Sequence, residues 1–195
     1  HLCAEALAVI PERVTELLVA DEASGNPEIA AILARAASLA GVDVTVVPMD
    51  CYSKVSVLRS PEGIAARVAF AADAVPALGA APLRLVALAG IQDPGNAGAV
   101  VRTAAAAGAS GVIYVGTGVD PYHPALLRAA MGAAFRIPQV VMEDADFLHE
   151  MARRSIRTIG AAGGAAIAHD AADWSSPVCM VIGSEGRGIP PSLLD

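Results

Sequence analysis

Aromatic residues are scarce. The 195-residue chain holds three Phe, three Tyr and one Trp, 4% in all, so any core has to be assembled from Ala, Val, Leu and Ile. Charge is thin as well, at 17% charged residues against 55% hydrophobic. That balance excludes a disordered chain, which would be poor in apolar residues and rich in net charge. Gly (18) and Pro (13) are too few for a collagen-like or low-complexity chain. No stretch of about 18 apolar residues runs without Gly, Pro or charge, so no membrane-spanning helix is expected. The three cysteines, Cys3, Cys51 and Cys179, are odd in number and too widely spaced for CxxC ligation. They read as buried, reduced thiols of a cytoplasmic protein. His1, His123, His149 and His169 are scattered, so no metal site is expected. The chain begins at His1 without a charged-then-apolar leader, so no signal peptide is expected, and an upstream segment is.

The formal net charge of −7 weighs against a simple nucleic-acid binder. Its distribution is uneven, and a local basic face can sit on an acidic whole. Arg153, Arg154 and Arg157 crowd one segment, where they fit either phosphate contacts or a solvated helix end.

Two halves emerge along the chain. In the first, Val14 to Ala20 reads as a strand, Glu28 to Ala40 as a helix closed by Gly41, and Val42 to Val47 as an alternating strand. Helical turns at Asp50 to Val57 and a strand at Gly63 to Phe70 complete it. The Ala-, Pro- and Gly-rich stretch that follows is read as a linker, at residues 76–82. In the second half, strands at Arg84–Ala89, Gly111–Val115, Gln139–Met142, Arg157–Ala161 and Val178–Ile182 alternate with helices at Asn96–Gly108, Pro124–Ala134 and Ala145–Arg154. Apolar strands separated by helices predict an α/β fold with a parallel sheet covered on both faces.

Two Gly-rich turns follow strands of the second half. After Arg84–Ala89 the chain runs Asp93-Pro94-Gly95-Asn96-Ala97-Gly98 and reaches Arg102. It is neither GxxxxGK[ST] nor GxGxxG, which removes the P-loop and the dinucleotide fingerprint. A helix starting near Asn96 puts Gly98 and Arg102 on one face. Gly98 would admit a ligand or another backbone, and the planar guanidinium of Arg102 suits phosphate. The plainer reading is equally open: Asn96 as an N-cap and Arg102 as a solvated helix residue. The second turn, Gly183-Ser184-Glu185-Gly186-Arg187-Gly188, lies at the carboxyl end of a parallel strand, where ligands of α/β sheets bind. Its acid, Glu185, is not something a structural turn needs.

Taken together, these motifs resemble the SpoU (TrmH-like) family of RNA ribose 2′-O-methyltransferases in the SPOUT superfamily. The family pattern Asn-x-Gly-x-x-x-Arg-x-x-x-x-x-Gly is matched by Asn96, Gly98, Arg102 and Gly108. Gly183 to Gly188 is similar to its second motif, and Arg128 to Pro138 to the segment between, with Ala130 where Ser is common. The resemblance covers Leu83 to Asp195.

It implies methyl transfer from S-adenosylmethionine to a ribose 2′-oxygen, more in ribosomal than in transfer RNA. Asn96, Arg102 and Glu185 would be catalytic. Backbone at Ala161, Ala162, Gly163, Gly183, Gly188 and Ile189 would hold the cofactor, and Arg102, Arg128 and Arg136 would contact RNA. Residues 1–75 look like an incomplete N-terminal α/β RNA-binding domain, and 83–195 like the methyltransferase domain. The family's third motif, which threads a trefoil knot, would belong beyond Asp195. Without it, the segment past Pro190 is expected to be mobile. A homodimer is implied, since the Asn96–Gly108 helix is almost wholly Ala and Val. The alternative is a non-catalytic RNA-binding protein on the same fold. Trp174 is read as packing, with base stacking as its rival.

Overall fold

The computed structural model describes residues 2–58, 60–70, 83–174 and 177–194. The chain divides into two compact units, His1–Ala71 and Ala72–Asp195. The expected linker at 76–82 lies outside the described residues.

The first unit has helices α1 (Leu2–Val9), α2 (Pro27–Ala37) and α3 (Met49–Val55) and strands β1 (Val14–Ala20), β2 (Asp43–Val47) and β3 (Ile64–Val68). Its sheet has the order β2-β1-β3, with β1 parallel to β2 and antiparallel to β3. Leu7, Leu17, Val19 and Ile29 are fully buried in it. Helix α2 starts at a cap whose geometry the sequence dictates: the Asn26 side chain accepts from Glu28 N at 2.9 Å, and Pro27 fills the first helical position. Arg35 ties α2 to α1 by donating from Nη2 to the Leu7 carbonyl at 3.2 Å. Helix α1 was not expected. Its apolar residues point all round, with Glu5 the single charge, so it carries no periodic stripe.

The second unit is a parallel five-stranded sheet with helices on both faces. Its elements are β4 (Arg84–Ala89), α4 (Pro94–Ala106), β5 (Gly111–Val115), α5 (Pro124–Ala129), β6 (Gln139–Met142), α6 (Asp144–Arg153), β7 (Arg157–Ala161) and β8 (Val178–Gly183). The strand order is β6-β5-β4-β8-β7. One apolar layer joins Leu85, Ala87, Val115, Phe147 and Val181. The other joins Val101, Val112, Tyr114 and Leu126. Strand β5 is buried along its whole length, as a central parallel strand should be.

This order sets the location of the site. From β4 the chain moves outward through β5 and β6, then returns to the other flank for β7 and β8. The strand order therefore switches sides between the parallel neighbours β4 and β8, whose ends pair as Ala89 with Gly183. A crevice opens outside the strand ends at such a switch.

Four expectations need correction. The helix expected over Glu28–Ala40 ends at Ala37, capped at Ser38 rather than closed by Gly41. Helix α4 begins at Pro94, not Asn96, because Asp93 is the cap and accepts from Asn96 N at 2.7 Å. The helix expected over Pro124–Ala134 ends at Ala129. Met131 (φ 50°) and Gly132 (φ 83°) are both left-handed, and a short 3-10 turn at Ala133–Phe135 follows. The segment past Pro190 is packed rather than loose: Leu193 is buried, and the Ser192 hydroxyl donates to Asp144 Oδ2 at 2.5 Å.

Candidate active site

The loops after β4 and β8 meet at the switch point. With Asp93 capping α4, the Asn96 side chain is free to turn outward, and its Nδ2 donates to Glu185 Oε1. Both residues are exposed. Two motifs 89 residues apart in sequence are thus joined side chain to side chain.

The loop holding Glu185 is closed by its own backbone. Ser184 N donates to the Gly188 carbonyl at 3.1 Å, and Gly188 N to the Ser184 carbonyl at 2.9 Å. Glu185, Gly186 and Arg187 form its exposed tip. Gly183 is dictated by the return of this loop. A Cβ there would lie 2.1 Å from the Gly188 carbonyl carbon and 2.2 Å from Ile189 N. Gly188 takes φ +67°, a conformation that suits glycine.

Further along α4, Arg102 is exposed and donates from Nη1 to the Met131 sulfur at 3.3 Å. No carboxylate among the described residues pairs with it. Gly98, one turn earlier, does not open a path for a ligand. A Cβ there would lie 2.6 Å from both the Ala129 Cβ and the Leu126 carbonyl, so its lack of a side chain seats α4 on α5. Arg128, in the last turn of α5, and Arg136, past the 3-10 turn, flank Met131 in sequence.

The residues expected to hold a cofactor gather at the ends of β7 and β8. Ala161 pairs with Ile182 in the sheet, and Ala161, Ala162 and Gly163 are exposed. Ile189 is buried with its Cδ1 2.8 Å from where a Gly160 Cβ would stand, which fastens the end of the Gly183–Gly188 loop to β7. Cβ positions at Gly163, Gly164 and Gly186 meet nothing within 4 Å. This corner offers open backbone and small side chains, which fits a group recognised mainly by main-chain hydrogen bonds. Among the described residues, no group of three or more His, Cys, Asp or Glu side chains could hold a metal ion.

Other candidates resolve differently. Arg153 and Arg154 both clasp Glu150, at 2.7 and 2.5 Å, and Arg157 lies 3.5 Å from Asp173, so each already has an acidic partner. Trp174 donates from Nε1 to the His169 carbonyl at 2.9 Å. It also lines an apolar cavity of about 450 Å³ with Val86, Val100, Thr103, Met180 and Ile182.

Sequence reasoning missed the Asp93 cap, Met131, and a buried relay beneath the Met131 turn. In that relay Tyr114 OH donates to Gln139 Oε1 at 2.6 Å, and Gln139 Nε2 to the Ala134 carbonyl at 2.8 Å. Burial raises the Tyr114 hydroxyl well above its ordinary pKa, so it stays protonated and donating. Asp-Pro ahead of an Ala-rich helix is a legible cap signal. Met131 and the relay carry no such signal.

Residues 83–195 match the model of the SpoU rRNA Methylase family. The chain is 27% identical over 195 residues to a 23S rRNA (guanosine(2553)-2′-O)-methyltransferase, RlmP, of Bacillus subtilis, covering 100% of this chain and 73% of that one. It is 32% identical over 182 residues to an uncharacterised tRNA/rRNA methyltransferase of Mycobacterium ulcerans, covering 90% of this chain and 58% of that one. The chain therefore spans less than two thirds of the mycobacterial relative. A crystal structure of an AdoMet-bound rRNA methyltransferase from Sinorhizobium meliloti superimposes with a TM-score of 0.74 at 27% identity, covering 99% of this chain and 71% of that one.

Proposed function

The chain belongs to the SpoU rRNA methylase family, and we propose that its site transfers a methyl group from S-adenosylmethionine to a ribose 2′-oxygen of ribosomal RNA. The observation that carries this reading is the Asn96–Glu185 hydrogen bond at the β4/β8 switch, with the uncompensated guanidinium of Arg102 on the same helix.

S-adenosylmethionine supplies a methyl group on a sulfonium, which leaves as a neutral thioether when the 2′-oxygen attacks. No metal is needed for that displacement. The backbone of the exposed Ala161, Ala162, Gly163 and Gly188, with that of the buried Ile189, would hold the cofactor. Gly183 contributes by letting the loop close. Arg102 offers a planar cationic guanidinium. It binds the substrate phosphate bidentately and stabilises the charge developing on the 2′-oxygen. Asn96 holds Glu185 by one oxygen and leaves the other to accept from the ribose hydroxyl, fixing the angle of attack and receiving the hydroxyl proton as the oxygen–methyl bond forms. Arg128 and Arg136 extend the RNA contact.

The finer assignments belong to the same reading. Residues 1–75 would bind RNA, the 76–82 stretch would link them to the methyltransferase domain at 83–195, and that domain would be of the trefoil-knot type. A homodimer is supported by Ala99, Val100 and Thr103 of α4, which line an apolar cavity rather than a packed core. A cytoplasmic location follows from an RNA substrate. No helix among the described residues is long and apolar enough to cross a membrane.

The test is methyl transfer from labelled S-adenosylmethionine to rRNA by the full chain, with nuclease mapping of the product. Label at a 2′-oxygen supports the proposal. RNA binding without transfer would favour a non-catalytic protein on this fold.

A further inference from the structure

We infer that Met131 is a positioning residue: its thioether sulfur holds the Arg102 guanidinium in the orientation that receives the substrate phosphate. The inference rests on reading Arg102 as the phosphate-holding group.

Met131 is an odd residue to find where it is. It is 70% exposed, so its long apolar side chain adds little to the core. Its φ of 50° lies in the left-handed region, which unbranched non-glycine residues visit at a cost. Strain of this kind persists only where surrounding structure enforces it. Here the enforcement is visible from two sides. Above, Gly98 brings α4 down onto α5, with no room for even a methyl group against the Leu126 carbonyl, and Arg102, one turn on along α4, reaches Met131. Below, the buried Tyr114–Gln139 pair grips the Ala134 carbonyl, so the turn that carries Met131 cannot sag into the core. What the arrangement yields is one contact, Arg102 Nη1 to Met131 Sδ at 3.3 Å.

The chemistry of that contact suits the task. A carboxylate at this position would orient the guanidinium but neutralise it, and an incoming phosphate would have to compete with a strong ion pair. A thioether sulfur is a weak, polarisable acceptor without charge. It restrains the guanidinium while leaving its full positive charge and its remaining N–H donors for the phosphate. The restraint limits the rotamers of a long side chain before substrate arrives, which is the ordering that binding would otherwise have to supply.

The experiment is steady-state methyl transfer by the full chain carrying Met131→Leu, Met131→Gly, Met131→Gln or Arg102→Ala, with thermal melting of each. Leu keeps the volume and removes the acceptor. Gly adopts the left-handed backbone without strain, so a folding failure of the Leu variant leaves the test intact. Gln restores an acceptor oxygen. We expect kcat to fall between about ten- and a hundredfold in the Leu and Gly variants, the range that a small misplacement of a reacting group produces. The KM for S-adenosylmethionine should be unchanged, and Gln should recover most of the loss. Wild-type kcat in folded Met131→Leu and Met131→Gly, with Arg102→Ala inactive, would overturn this inference alone. Loss in Leu and Gly without recovery in Gln would also overturn it, since the residue would then be structural. Near-normal transfer by Arg102→Ala would remove both this inference and the reading of Arg102 beneath it.

Discussion

The Asn96 side chain donates to Glu185 across the point where the strand order of the parallel sheet switches sides. Each residue alone is an ordinary loop or helix-end polar group. Joined, they tie the turn after β4 to the turn after β8 and present a carboxylate with one oxygen occupied and one available. Glu185→Gln keeps an acceptor for Asn96 but loses the charge, whereas Asn96→Ala removes the donor and frees the carboxylate. Transfer should therefore fall in both variants, and further in Glu185→Gln, whose single amide oxygen cannot serve Asn96 and the ribose hydroxyl at once, with both folded by circular dichroism. Greater transfer by Glu185→Gln than by Asn96→Ala would contradict this role of the second oxygen. Equal loss in both would mean that the charge and the bond are needed together.

Gly98 is a packing residue on this account. Gly98→Ala would place a methyl 2.6 Å from the Leu126 carbonyl and the Ala129 Cβ, neither of them a flexible side-chain end. Helix propensity would gain slightly from Ala, but overpacking of this kind costs about 1–3 kcal/mol. Chemical denaturation should show a net loss of stability. A stabilised variant would mean that α4 and α5 sit further apart than found.

Gly183 should be equally intolerant for a different reason. A side chain there would meet the Gly188–Ile189 backbone at 2.1–2.3 Å and push the Glu185 loop open. Gly183→Ala should lose S-adenosylmethionine affinity in calorimetry, because Ile189 would lose its seat on Gly160. Unchanged affinity would show that the closed loop is dispensable for binding.

Much of the second unit was legible because its strands are short apolar runs bounded by Gly and helices, and parallel sheets need no alternation. The end of α5 was not. The Ala-rich run continues past Ala129 and hides the break, which comes from a left-handed Met131 that no propensity foretells, although Gly132 beside it is a common helix terminator. The start of α4 was misread by choosing Asn96 over Asp93, and the consequence was chemical, since a capping Asn96 could not have reached Glu185. The pairing of Asn96 with Glu185 depends on β4 lying beside β8, which spacing along the chain cannot reveal. The resemblance to a known family brought those residues together before the fold did.

Acid should expose the Glu150 cluster. The hydrogen bond from Arg153, aided by that from Arg154, lowers the Glu150 carboxyl from its usual 4.5 to about 2. A carboxylate depressed in the folded state contributes stability that is fully present above its unfolded value and lost as pH falls through its folded value. Wild-type protein should thus lose this contribution between about pH 4.5 and pH 2. Glu150→Gln should be less stable than wild type at pH 7, with the gap closing toward pH 2. A gap constant across that range would show that the arginines do not stabilise the folded state through this charge.

If Arg102 is a working cation rather than a solvated helix residue, its removal should end transfer without unfolding the chain. Arg102 is exposed, it lacks an acidic partner among the described residues, and Ala at its position keeps helix propensity. Methyl transfer to rRNA by Arg102→Ala and Arg102→Lys, measured beside wild type with melting temperatures of all three, tests this most directly. Both variants should fold with little change in melting temperature. Transfer should fall by at least about a hundredfold in the Ala variant, with Lys failing as well because a point charge cannot reproduce the planar fork. Near-wild-type transfer by folded Arg102→Ala would contradict the account.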